Sequence, residues 1–277
     1  MESVEVAAGT IEYQDGGGDG PVVVLLHGLM MDGTLWRHVV PRLEGMRCVV
    51  PVLPLGGHRT PMRTGADLSM PAIAAIVGEL LEALDLRDVM LVMNDWGGAI
   101  LMLDTAAGER VSRLALCACE AFDNVPPKGA ARLLPYLARV PGGLNAAVMP
   151  LAIDRLRRLP VTYGPLSHTR VPREVMDGWF GPVTSDAGVR RDLRSYVLSS
   201  AAARAQLLAG TLALARFDRP ALVAWAADDR LMPAEHGPRL AGLLPQGQLK
   251  VIERSRTLIP EDQPEILAGA LRELSLR

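Results

Sequence analysis

The sequence predicts an α/β fold: a mostly parallel eight-stranded sheet flanked by helices and interrupted by a helical insertion. Three observations carry this expectation. Short apolar runs bounded by turn residues alternate with segments of helical periodicity. That alternation stops near Phe122 and resumes at about Arg216. With 277 residues, 49% of them hydrophobic, the chain is long enough for a full core plus an insertion.

The elements follow in order. "VEVAAGTIEYQD" reads as two short strands joined at Gly9-Thr10, followed by a glycine-rich turn. "PVVVLLHG" is a continuous apolar run, the pattern of a strand buried on both faces, and "RCVVPVLP" is another. In "SMPAIAAIVGELLEALD", Ile73, Ile76, Val77, Leu80, Leu81 and Leu84 recur at helical spacing behind a candidate cap, Ser69. "RDVMLVM" is the next buried strand, "GGAILMLDTAAGE" the expected helix after it, and "RLALCAC" the strand after that. From 122 to 215 there is no β-rich run; prolines break the chain, and "ARLLPYLARV" and "RRDLRSYVLSSAAARAQLLAG" read as helices. The expected division is therefore a core of residues 1–121 and 216–277 with a helical cap at 122–215. "PALVAWAADD", "PAEHGPRLAGLL", "QLKVIE" and a last helix near "EDQPEIL" restore the alternation.

A net charge of −2 gives no electrostatic attraction for nucleic acid or an anionic membrane, so a small-molecule substrate is the expected partner. Nothing reaches the roughly 18 consecutive apolar residues of a membrane span, and "MESVEVAAGT" lacks a basic region followed by an apolar run; a cytoplasmic protein is expected. Cys48, Cys117 and Cys119 are an odd set, expected as buried free thiols. There is no dinucleotide-binding glycine motif and no metal-spaced histidine or cysteine cluster, so neither cofactor nor metal is expected.

The chemistry concentrates in "VMNDWGGAI". A buried strand that ends in a sharp turn between small residues and opens a helix is the geometry of a nucleophile elbow. Asp95 is its centre, and the amide of Trp96 at the helix start is placed to stabilise an anion. From these residues alone Asp95 reads equally as a nucleophile or as a helix cap.

Together with "LLHGLMMDGTLW", "LPLGGHRTP" and "WAADDRLMP", in this order, the motif resembles the α/β-hydrolase superfamily over nearly the whole chain. The resemblance implies an oxyanion amide at Leu29, a structural His58 and a catalytic acid at Asp229. "NDWGG" is similar to the elbows of haloalkane dehalogenases and epoxide hydrolases, where aspartate attacks carbon and the following tryptophan helps hold the leaving halide; that places substrate contact at Trp96. Glu120, in "CACEAF", resembles the alternative acid position of some haloalkane dehalogenases and reads equally as a salt-bridge partner at the cap hinge. The departures are Met93 where the elbow usually has glycine, "HGLMM" where a proline usually follows His-Gly, and the water-activating histidine. Its position aligns with Thr257, 28 residues after Asp229, preceded by Arg256 instead of glycine. A threonine hydroxyl is no useful general base near neutral pH.

Of the five histidines, His27, His38, His58 and His236 read as structural or surface residues. His168 in the cap loop reads either as exposed or as descending over the site. Trp179, Tyr136, Tyr163 and Tyr196 are cap aromatics that line a pocket or fill the core. The leading expectation is a cofactor-independent hydrolase-like enzyme with an Asp95 nucleophile, Asp229 and Glu120 beside it and an atypical triad, acting on a small apolar substrate. The alternatives are a lyase, isomerase or cyclase using Asp95 for proton transfer, and an inactive ligand-binding pseudoenzyme.

Overall fold

A computed structural model describes residues 1–277. Eight strands form one sheet: β1 (Glu2–Val6), β2 (Gly9–Asp15), β3 (Val22–Leu26), β4 (Arg47–Pro51), β5 (Val89–Asp95), β6 (Val111–Cys119), β7 (Ala221–Ala226) and β8 (Gly247–Ile252). Their spatial order is β1-β2-β4-β3-β5-β6-β7-β8. The pairs β1/β2 and β2/β4 are antiparallel, and every other pair is parallel. All seven residues of β5 are buried, as its unbroken apolar run requires, whereas the edge strand β8 exposes most of its side chains.

Helices α1 (Met70–Ala83), α7 (His236–Leu243), α8 (Ile259–Asp262) and α9 (Pro264–Ser275) accompany the sheet. Between β6 and β7 lie α2 (Leu134–Arg139), α3 (Gly143–Val148), α4 (Asp154–Arg157), α5 (Arg173–Ser185) and α6 (Ala187–Ala213). The 27-residue α6 opens on a capping aspartate: Asp186 accepts from the amides of Gly188 and Val189 at 2.6 and 3.0 Å. It is pinned to the sheet layer twice, because Asp192 accepts from the ring of His58 at 3.3 Å and Thr211 accepts from the amide of Phe122 at 2.9 Å. His58 is thus structural. No single helix among the described residues is long and apolar enough to cross a membrane.

Three local expectations are corrected. The first hairpin turns at Ala7–Ala8, with Gly9 and Thr10 already paired in β2. Ser69 occupies the N-cap position of α1 without a side-chain cap bond. The segment after β5 forms two 3-10 turns, Gly98–Met102 and Ala106–Arg110, instead of one α-helix. Gly97 and Gly98 resist helix at its start, and the Thr105 hydroxyl bonds back to the Met102 carbonyl (2.7 Å) in the middle, closing the first turn. Cys48, Cys117 and Cys119 are buried and free.

Candidate active site

The parallel strands deliver their following residues to one edge: Leu29 after β3, Asp95 at the end of β5, Glu120 after β6, Asp229 after β7 and Thr257 after β8. This is where an open α/β sheet exposes its chemistry. Asp95 has φ +66°, and the amide of Trp96 donates across it to the Asn94 carbonyl at 2.9 Å, closing a three-residue turn. A non-glycine residue there is strained, and the surroundings must hold it. They do so by close approach. A Cβ on Gly28 would lie 1.9 Å from Asp95 Oδ2, and one on Gly97 would lie 1.8 Å from the Glu120 carbonyl oxygen. A bulge in the β5/β6 pairing, at Ala118 (φ +37°), brings the amide of Glu120 to the Asp95 carbonyl at 2.9 Å.

The Asp95 side chain is buried, with 8% exposure, and one group donates to it: the amide of Leu29, at 3.2 Å from Oδ2. Burial pushes its carboxyl up to about 7; the Leu29 amide opposes this and the nearby Asp229 carboxylate adds to it. Glu120 is buried with no partner for Oε2, and burial plus the Asp95 charge hold its carboxyl well above the usual 4.5. The two carboxyls face each other at the strand edge and are coupled, both pushed above the usual carboxylate range by burial.

Asp229 is anchored by its own turn, its Oδ1 accepting from the amides of Leu231 (2.8 Å) and Met232 (3.0 Å). Burial raises its carboxyl despite these bonds. The Thr257 hydroxyl donates to the same oxygen at 2.8 Å, and Asp229 Oδ2 is buried without a partner. Thr257 thus stands beside the acid, as the sequence spacing implies. Asn94 ties this loop to the elbow, its amide nitrogen donating to the carbonyls of Cys117 and Thr257, each at 2.7 Å.

The remaining site candidates separate. Trp96 lines the pocket, and its indole N–H donates to the Tyr196 hydroxyl at 3.1 Å. Trp179 does not: it is fully buried in α5 and donates to the Thr34 hydroxyl at 2.9 Å, because its apolar ring fills the packing of α5 against the segment after β3. His168 does not descend over the site; its ring pairs with Asp228 at 2.9 Å on the exposed surface, held there by the Asp262 carboxylate, which accepts from its backbone amide at 2.9 Å. Buried His27 donates from Nδ1 to the Gly28 carbonyl at 2.8 Å and accepts from the Leu53 amide at 2.9 Å, and burial lowers it to about 4, so it is a neutral strut. No histidine hydrogen-bonds to Asp95 or Asp229 among the described residues.

A narrow cleft opens over Asp95 between the strand edge, the segment 125–135 and α6. Its walls are largely apolar, the character of a small-molecule site. Tyr196, Val197 and Ser200 of α6 line it, and Tyr163 reaches its margin by donating to the Leu29 carbonyl at 2.6 Å. Sequence reasoning listed the two tyrosines without separating them from Tyr136, which is exposed on α2, and missed Ser200. The Tyr196/Ser200 spacing of four residues on one helix was the signal available.

The chain matches the model of the alpha/beta hydrolase fold family over residues 21–264. It belongs to the α/β-hydrolase family. By family it is a hydrolase-type enzyme. Among its relatives, a haloalkane dehalogenase of Mesorhizobium japonicum is 32% identical over 98 residues, which cover 35% of this chain and 31% of that one. A cis-3-alkyl-4-alkyloxetan-2-one decarboxylase of Xanthomonas campestris pv. campestris is 27% identical, with 93% of this chain and 89% of the relative covered. Haloalkane dehalogenase 2 of Mycobacterium bovis is 26% identical, with 96% and 91% covered. In structure, the hydrolase-fold chain is similar to an ancestral haloalkane dehalogenase at TM-score 0.79, 21% identity and complete coverage of both chains. A haloalkane dehalogenase of Bradyrhizobium elkani aligns at TM-score 0.79 and 20% identity, covering 99% of this chain and 98% of that one. These likenesses in structure establish the fold.

Proposed function

We propose that this chain is a cofactor-independent enzyme in which the Asp95 carboxylate attacks a carbon atom of a small, largely apolar electrophile, and that the ester so formed is resolved without an activated water. The observation that carries the reading is Thr257. Its hydroxyl is committed to Asp229, and among the described residues no histidine hydrogen-bonds to Asp229 or Asp95 to prepare a water for the ester. A carboxylate needs no base for its own attack, so the first half of the chemistry is intact.

A strained four-membered lactone closes such a cycle. Asp95 attacks the ring carbon bonded to the ring oxygen; that C–O bond breaks and leaves a free carboxylate. Carbon dioxide then departs, its C–C bonding pair becomes the alkene bond, and the ester C–O pair returns to Asp95. No water is consumed and no net proton moves. The cis-3-alkyl-4-alkyloxetan-2-one decarboxylase of Xanthomonas campestris pv. campestris, similar over 93% of this chain, supports this class. A dehalogenase-like reading has less support in the site. Trp96 Nε1 is already bonded to Tyr196, and Leu29 brings no side-chain donor for a halide.

The experiment is incubation with a cis-dialkyl oxetan-2-one and, separately, a bromoalkane in ¹⁸O-water, followed by product analysis and intact mass. Alkene and carbon dioxide from the lactone, absent in Asp95→Asn, are the expected result; the bromoalkane stops at a stable adduct. An ¹⁸O-labelled hydroxy acid would replace the reading with hydrolysis. Neither product nor adduct would remove it.

The helices between β6 and β7 act in this proposal as a cap over the cleft, and Leu29, Asp229 and Glu120 as supports of Asp95. The expected partner is the small substrate alone.

A further inference from the structure

The apolar cleft over Asp95 contains polar atoms that the proposed attack does not use. Glu120 Oε2 and Ser200 Oγ are both buried, both line the cleft and both lack a hydrogen-bond partner. Their residues are 7% and 8% exposed. A buried polar atom left unpaired is destabilising, so two in one cleft mark a place where something else is meant to bond. A helical serine ordinarily relieves itself on the carbonyl four residues back. Here that carbonyl, of Tyr196, is taken by the hydroxyl of Ser199 at 2.7 Å. Tyr196 lies one helical turn before Ser200, and its oxygen accepts from Trp96 Nε1, which leaves its own hydrogen free to donate.

We propose that Glu120, Ser200 and Tyr196 form a neutral, hydroxyl-donating site that binds a carbonyl oxygen of the substrate, and so select oxygenated electrophiles over hydrocarbons of the same shape. Three neutral donors suit an oxygen that carries partial charge in the ground state and more as a ring opens. An alkene or alkyl chain in the same place leaves all three unpaired. The unpaired Oε2 faces the cleft, and burial and the Asp95 charge raise the Glu120 carboxyl, which favours its protonated, donating form over a second negative charge. This names the ligand chemistry of the proposed function and rests on that reading for the choice of cleft.

The test separates the two by using ligands that cannot react. In Asp95→Asn and in the otherwise unaltered protein, binding of 2-hexanone is compared with its hydrocarbon counterpart 2-methyl-1-hexene, by quenching of tryptophan fluorescence and by calorimetry. The ketone is expected to bind about tenfold more tightly, the scale of one well-made buried hydrogen bond. Ser200→Ala is expected to shrink that ratio several-fold, Glu120→Met to shrink it likewise, and Glu120→Gln, which keeps a donor, to preserve most of it. Alkene binding should stay level across the three variants. Equal binding of ketone and alkene by the unaltered protein would overturn the proposal, as would a ratio unmoved by both Ser200→Ala and Glu120→Met. Ketone selectivity without lactone turnover would sink only the proposed reaction, and lactone turnover without selectivity only this site.

Discussion

Asp95 is held in a position that the fold would relieve if it could. Its carboxyl is raised to about 7 in the folded chain from the ordinary 3.8, so the native state binds this proton more tightly than the unfolded one. The contribution to stability is complete below about pH 3.8 and is lost as the pH rises to about 7. Asp95→Asn, which keeps an acceptor for the Leu29 amide, is therefore expected to gain about 4 kcal/mol at pH 8 in urea unfolding while losing activity. The gain should vanish near pH 4, and a stability difference independent of pH would contradict the assignment. In the proposed attack the ionised form reacts, so activity is expected to rise with pH through about 7, then level; a profile falling through that range would make Asp95 a proton donor instead. Thr257 invites the converse substitution. Asp229 Oδ2 is unpaired and the loop is already anchored, so Thr257→His, with Arg256→Gly for room, should speed release of a trapped alkyl ester by about 10²-fold. Uptake of ¹⁸O from water into the released alcohol is the readout, and an adduct that persists unchanged would show that the ring cannot reach a water.

The strands and the elbow explain why so much of the site could be read from the sequence. Leu29, Asp95, Glu120, Asp229 and Thr257 each follow an apolar run, and parallel strands bring such positions to one edge without further information. Ser200 and the role of Tyr196 were not legible in this way. They sit inside a 27-residue helix of weak amphipathicity, and only its docking on Trp96 tells which face looks into the cleft. The turns after β5 were misread for a related reason: apolar spacing does not distinguish an α-helix from consecutive 3-10 turns when glycines and a back-bonding threonine punctuate it. The elbow itself has a sharp steric test. Gly97→Ala places a methyl group where the Glu120 carbonyl oxygen lies, and backbone cannot swing aside as a side chain does. A loss of about 3 kcal/mol or failure to fold is expected, measured by thermal unfolding of purified protein. Gly242→Ala, on the open side of α7 with no atom within 4 Å, is the matched control and should be neutral or slightly stabilising.

Across the molecule, chain ends are fastened to the sheet layer by a few distant bonds. Arg37 forms a two-pronged pair with Glu261 of α8, 224 residues away, with its Nη2 at 2.7 Å from Oε2, and the Glu261 side chain is fully buried. Arg37→Ala leaves that charge without its partner and should cost about 3 kcal/mol in denaturant unfolding. A loss under about 1 kcal/mol would mean that water reaches the carboxylate once the arginine is gone. The overall architecture was predicted correctly because eight strand-like runs, five of them continuously apolar, and their separations restrict a chain of this length to few topologies. The candidate site residues and the helices lining the cleft also come from differently arranged parts of the chain. The residues at the strand edge are scattered from Leu29 to Thr257, whereas the helices over the cleft come from one uninterrupted stretch between β6 and β7. One continuous segment can therefore be exchanged as a unit to reshape the cleft wall while Asp95 and its neighbours keep their places, whereas reshaping the strand edge touches five positions far apart in the chain.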